Sequence, residues 1–127
     1  MTEQTGMYKT ALTAVTTTAA GGALSLQNPE GVDLIITRFL LNITTVSTGA
    51  ATVDAGVSGA SVASSDNLID GQDVNGATGV FDNFDDQGSN GQSCVLWPTD
   101  HYLTVTASAT LAGLVGNAYI EYKRVAD

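Results

Sequence analysis

The sequence predicts an all-β fold: a single antiparallel β-sandwich, jelly-roll-like, over residues 23–127, preceded by an extended N-terminal arm at residues 1–22. Three observations carry this reading. Apolar and polar residues alternate with period two in several short runs, as half-buried strands require. Clusters of Gly, Asn and Asp separate the runs at spacings of about ten residues, the rhythm of a sandwich or barrel. No stretch carries a convincing helical stripe, and no repeat of solenoid period is present, so the unit is one globular domain.

Length and composition agree with a single, thin core. A chain of 127 residues has room for one domain, and two would each be marginal. Hydrophobic residues make up 43% of it, but much of that share is Ala and Val, with only eight aromatic side chains. Charged residues are scarce at 13%, so hydroxyls and amides must carry much of the solubility.

The elements follow in order. Thr2 to Gly22 is rich in Thr and Ala, with Tyr8, Leu12 and Val15 as its sizeable apolar groups. Their spacing of four and three would suit a helix, but the β-branched Thr run opposes one, which leaves an extended arm or an edge strand. Such a segment is ordered by the rest of the domain or by a neighbouring subunit. NPEG at Asn28 to Gly31 is a turn, and VDLIITRFLLNITTV after it is the central strand. Ile35, Phe39, Leu41 and Ile43 share one parity while Leu34, Ile36 and Leu40 share the other. The first half of that strand is therefore covered on both faces, or the strand carries a bulge.

After a Gly-containing turn at Ser47 to Ala51, Val53, Ala55 and Val57 alternate with polar or small residues, which predicts a hairpin with the central strand. Cys94 to Trp97 is a short apolar piece stopped by Pro98. Leu103, Val105 and Ala107 then alternate with Tyr102, Thr104 and Thr106. In the last strand Ala118, Ile120 and Tyr122 face one way and Tyr119, Glu121 and Lys123 the other.

Charge narrows the function classes. Thirteen acids stand against Lys9, Arg38, Lys123 and Arg124, a net charge of -9, and nucleic acid is excluded as an expected partner because a phosphate backbone needs clustered cations. No apolar run is long enough to cross a membrane as a helix, and the start MTEQTGMYKT has neither a basic nor an apolar leader region, so synthesis and folding in a cytoplasm are expected. Cys94 is the single cysteine, which rules out an intramolecular disulfide and predicts a half-buried free thiol.

The stretch DNLIDGQDVNGATGVFDNFDDQGSNG, residues 66–91, holds six of the thirteen carboxylates and no Lys, Arg or Pro. Calcium is the sharpest metal hypothesis, since hard oxygens at short spacing suit that cation. The spacing fails: Asp70, Asp73 and Asn75 stand three and two apart, with no closing Glu and no flanking helices. Asp82 with Asp85, or Asp85 with Asp86, could pair for acid and base work on a glycoside, but solvated turn residues explain them more simply. Phe81 and Phe84 either pin this loop to the core or belong to a contact surface.

His101 beside Asp100 lacks a nucleophile elbow, and local sequence gives no support for pairing it with Cys94. Asn42-Ile43-Thr44 fits a glycosylation acceptor, a pattern common by chance. No enzyme, cofactor or metal site is read here. A small, rigid, weakly charged β domain with an apolar and hydroxyl-rich N-terminal segment is the profile of an assembly or binding module.

GVDLIITRFLLNITTVSTGAATVDAGV, then DNLIDGQDVNGATGVFDN, GSNG and GLVGNAYIEYKRV, together resemble a group of small structural proteins of tailed bacteriophages, over most of Gly31 to Val125. The resemblance implies a virion protein, of the kind that decorates or cements a capsid, often as a trimer where major capsid subunits meet. Its expected partners are the major capsid protein and its own copies, with no nucleic acid and no membrane, and its expected place is the capsid exterior. Tyr8, Leu12 and Val15 are then the expected contacts to the shell or to a neighbouring protomer, and Phe81, Phe84 and Trp97 a loop contact surface. Two rivals remain open: a head-fibre or tail-associated module reading a host glycan through Trp97, Tyr102 and Tyr119, and a β-sandwich hydrolase using His101.

Overall fold

Alternating side chains can bury one face of a strand only if another layer closes over that face, and two sheets supply the layers here. The computed structural model describes residues 5–125. They form nine strands: β1 (Thr5–Ala11), β2 (Leu24–Gln27), β3 (Leu34–Thr45), β4 (Thr52–Ser58), β5 (Ile69–Asp73), β6 (Gly79–Asp82), β7 (Val95–Trp97), β8 (Tyr102–Ala107) and β9 (Val115–Arg124). The first sheet runs β1-β9-β3-β6, with β7 also on β3, and the second runs β2-β8-β4-β5. All pairings are antiparallel, and the described residues contain no helix.

β3 shows how sequence becomes geometry. Leu34 and Ile36 are buried at its start, Phe39, Leu41 and Ile43 further on, and the switch of parity falls where the register against β9 slips between Ile36 and Arg38. One extra residue at a bulge turns every later side chain over, so both apolar sets reach the same core. Ile35 is left half-buried on the outside. Of the two readings the sequence left open, the bulge is the one realised.

On the other side of β3, β7 pairs with Leu34–Ile36 and β6 with Leu40–Ile43, which leaves a gap opposite Phe39. Asn83 fills it. Its Oδ1 accepts the Phe39 N–H at 2.9 Å, its own N–H donates to the Phe39 carbonyl at 3.2 Å, and its Nδ2 donates to the carbonyls of Gln92 and Ser93 at 3.1 and 2.9 Å. A fully buried amide thus replaces a missing strand pair and ties down both ends of the excursion between β6 and β7.

The expected hairpin of the central strand with Val53–Val57 does not form. β3 pairs with β6, β7 and β9, while β4 pairs with β5 and β8 in the other sheet, so Ser47–Ala51 carries the chain across the sandwich. Alternation reports that one face is buried, not which sheet holds the strand, and a crossing turn uses the same Gly and Ser as a hairpin turn.

Both sheets contribute to one core, in which Trp97, Phe39, Leu34, Ile36, Leu41, Ile43, Leu103 and Ile120 are fully buried. Each such side chain contributes about 1.5–3 kcal/mol by leaving water. Trp97 stands edge-on to Tyr122, with ring centroids 6.3 Å apart, and its Nε1 donates to the His101 carbonyl at 2.9 Å.

The two outer faces differ. Over the second sheet the loop 59–67 folds back: Asn67 Oδ1 accepts the Val57 N–H at 2.9 Å, and Ser25 Oγ donates to the Ser61 carbonyl at 2.9 Å. Gly56 and Thr104, opposite each other on β4 and β8, are buried beneath it. A Cβ on Gly56 would lie 2.4 Å from Ser65 Oγ and 2.5 Å from Asn67 Oδ1, so the roof closes only over glycine. Among the described residues the first sheet has no comparable cover.

Candidate interaction surface

The register places the outward side chains of the first sheet in rows. Lys123, Ile35 and Leu96 form one row across β9, β3 and β7. Met7, Glu121 and Arg38 form the next, then Lys9, Tyr119, Leu40 and Asp82, then Ala11, Asn117, Asn42 and Val80. Ile35, Leu40 and Tyr119 are half-buried by their neighbours, while Met7, Val80 and Leu96 are exposed. Val115 continues the outward parity of β9, and Phe84 joins the face through Arg38, whose guanidinium lies 5.0 Å from its ring centroid. Five of the eight exposed large hydrophobic residues among those described therefore lie on this one face.

Cations gather there too. Lys9 Nζ sits 5.5 Å from the Tyr119 ring centroid, and Lys123 stands in the row beside Ile35. Arg38 is held by Asp82 at 2.8 Å. Burial pushes the Asp82 carboxyl up, but the Asp85 and Phe84 N–H groups and the Arg38 guanidinium outweigh it and leave the carboxyl below its ordinary range. The fourth cation, Arg124, is tied to Glu30 at 2.7 Å. Glu30 lies below its ordinary range because it accepts from Tyr122 Oη and then from Arg124, while burial and the same bond push the Tyr122 phenol up to about 12.

The acidic stretch is spent on turns and loop ties. Asp73 Oδ1 accepts the N–H groups of Asn75 and Gly76 at 2.8 and 3.1 Å, Asp70 Oδ2 that of Asn90 at 3.2 Å, and Asp66 Oδ2 the Asn90 side-chain amide at 3.0 Å. Asp54, on the outer side of the second sheet, accepts the Gly71 N–H at 2.8 Å. Burial raises its pKa above the ordinary range, and Asp70 and Asp66 add to the shift. Among the described residues no three His, Cys, Asp or Glu side chains stand together as a metal ion would need.

The residues singled out from sequence scatter. Tyr8 is exposed on edge strand β1, which pairs with β9 over seven positions, whereas Leu12 is buried at its end and Val15 packs half-buried against the core. The first four residues of the expected arm lie outside the described residues. Phe84 is exposed on the face above; Phe81, opposite Leu41, turns inward and packs on the core, and Trp97 is wholly inside it. A burial so complete leaves Trp97 no surface for a partner or a sugar. Cys94, expected half-buried, is exposed, because it precedes β7 and its side chain falls outside the Val95 and Trp97 alternation. His101 Nδ1 lies 3.4 Å from the Thr99 carbonyl, and Asp100 takes a positive φ of 69° in the same tight turn. Sequence reasoning missed Met7, Lys9, Val80, Leu96 and Lys123 as one surface; outward parity on each strand was the available signal.

No family model and no curated protein matches the chain. Among solved structures it is similar to a chain described as "Capsid of Ralstonia phage GP4", with a TM-score of 0.62 and 16% sequence identity, over 97% of this chain and 86% of that one. The likeness is one of fold.

Proposed function

We propose that this chain is a structural protein of a tailed-bacteriophage virion that binds the outside of the capsid and stabilises it, acting through contact surfaces and without a reaction of its own. The observation that carries the proposal is the fold likeness to a phage capsid chain over 97% of this chain and 86% of that one. The strand order supports it. β1-β9-β3-β6 facing β2-β8-β4-β5 places the first strand beside the last and returns the chain between sheets as a jelly roll does, with β6 and β7 as two halves of one interrupted strand. Such double sheets serve capsid domains and lectins alike, so the site must decide between them. The buried Trp97 removes one of the three aromatics, with Tyr102 and Tyr119, expected of a glycan-reading site, which favours the capsid reading.

The partner in this proposal is the major capsid protein, and a homotrimer is the favoured assembly, since a small domain gains affinity when several copies engage one shell. Tyr8 and Phe84 are the sequence-predicted contacts that keep exposed surface for it. The test is to mix the purified protein with shells of the same virus assembled without it. Saturable, stoichiometric co-sedimentation and a higher shell disruption temperature are expected; failure to co-sediment overturns the proposal.

A further inference from the structure

We infer that the outer face of the first sheet is the docking face, and that it seats on an acidic protein surface bearing apolar side chains, with the carboxylates of the second sheet and its loops turned away. The inference rests on the reading of the chain as a shell-binding protein and adds which face meets the shell and what chemistry that shell surface must have. Two observations on the same face carry it. The first is apolar exposure: Met7, Val80, Leu96, Val115 and Phe84 project beside the half-buried Ile35, Leu40 and Tyr119, while the outer face of the second sheet is roofed by its own loop. Exposed apolar groups gathered on one face and rimmed by polar ones mark an interaction surface.

The second is charge. In a chain of net charge -9, three of four cations, Lys9, Arg38 and Lys123, stand on this face against two carboxylates of its strands, Glu121 and Asp82, and among the described residues Arg38 alone is engaged in an ion pair there, with Asp82. Asp54, Asp66, Asp70 and Asp73 belong to the second sheet and its loops. A domain charged so unevenly approaches an acidic surface with this face forward, where cations outnumber the strand carboxylates three to two, because the second sheet and its loops would set carboxylates against carboxylates. Lys9 and Lys123 then find carboxylate partners at the rim, and the apolar residues between them lose water at the centre.

Shells assembled without this protein provide the probe, with co-sedimentation measured at low and high salt. Lys9→Glu combined with Lys123→Glu should weaken binding about tenfold at low salt and less at high salt, since rim charges act over a screened distance. Leu96→Asp should weaken it about tenfold or more at either salt concentration, because it buries an unpaired charge. Asp66→Asn with Asp70→Asn, which keep an oxygen acceptor for each loop bond, should bind as the wild type does. All the substituted positions are exposed or half-exposed, and melting curves confirm that each variant is folded. If the wild type fails to co-sediment, the shell-binding reading falls and this inference with it. If the wild type binds and the face variants bind equally well, or the loop variants lose binding instead, the docking face alone is overturned. Self-association of the wild type that Leu96→Asp abolishes, with shell binding intact, would assign the face to a second copy and overturn it as well.

Discussion

Asn83→Ala should be among the most damaging single changes in the domain, although the residue is polar and sits in a turn. Truncation strips the Phe39 N–H of its acceptor at 2.9 Å and the Gln92 and Ser93 carbonyls of their donor at 3.1 and 2.9 Å, all around a side chain with no exposure. Leaving one buried N–H unpaired costs about 1–3 kcal/mol. The two carbonyls lie nearer the surface, where water can replace part of the loss, and add about 1 kcal/mol together. A total of about 2–4 kcal/mol is a large share of the roughly 5–15 kcal/mol that holds a domain folded. At this size it should lower the melting temperature by about 10 °C. Differential scanning calorimetry on the variant and on Asn90→Ala, whose bonds are exposed and whose loss should shift melting little, makes the comparison. An Asn83→Ala protein melting within about 2 °C of the wild type would show that the gap opposite Phe39 needs no side-chain bridge.

Other outcomes follow from the same contacts. Gly56→Ala must lift the 59–67 loop off the second sheet, so the variant should melt several degrees lower and cleave faster in that loop under limited proteolysis. Glu30 and Asp82 both have folded pKa values below their unfolded ones, so their contribution is complete above about pH 4 and is lost as pH falls through the lower folded values; a titration of melting temperature should drop there, and less steeply in Glu30→Gln. Asp54 has the opposite sign: its raised folded pKa penalises the ionised form, so Asp54→Asn should melt modestly higher than the wild type at pH 7, with the difference closing below about pH 4. Tyr122→Phe keeps the edge contact with Trp97 but loses the bond to Glu30, and should cost about 1 kcal/mol in chemical denaturation.

Local pattern revealed the strands better than their partners. The last strand is read correctly because Ala118, Ile120 and Tyr122 alternate without a break, and Leu103, Val105 and Ala107 do the same in β8. β3 stayed ambiguous because a bulge and a doubly covered strand leave the same apolar run, and what separates them, the slip against β9, involves residues more than eighty positions away. The hairpin expected after β3 failed for a related reason: nothing in Ser47–Ala51 says which sheet receives the next strand. Trp97 beside Pro98 looked like a loop aromatic, yet three residues of β7 suffice to turn it inward opposite Leu34. The candidate face was legible only in pieces. Outward parity is local, but the adjacency of Met7, Glu121 and Arg38, or of Lys123, Ile35 and Leu96, is a product of topology.

A cryo-electron microscopy map of the intact particle tests the proposed role most directly. The sandwich should be found on the outer surface of the capsid, in repeated copies, with the face that carries Met7, Leu96 and Lys123 against the shell and Asp66, Asp70 and Asp73 toward solvent. Density for the domain inside the shell, in the tail, or at the base of a fibre with no contact to the capsid lattice would contradict it.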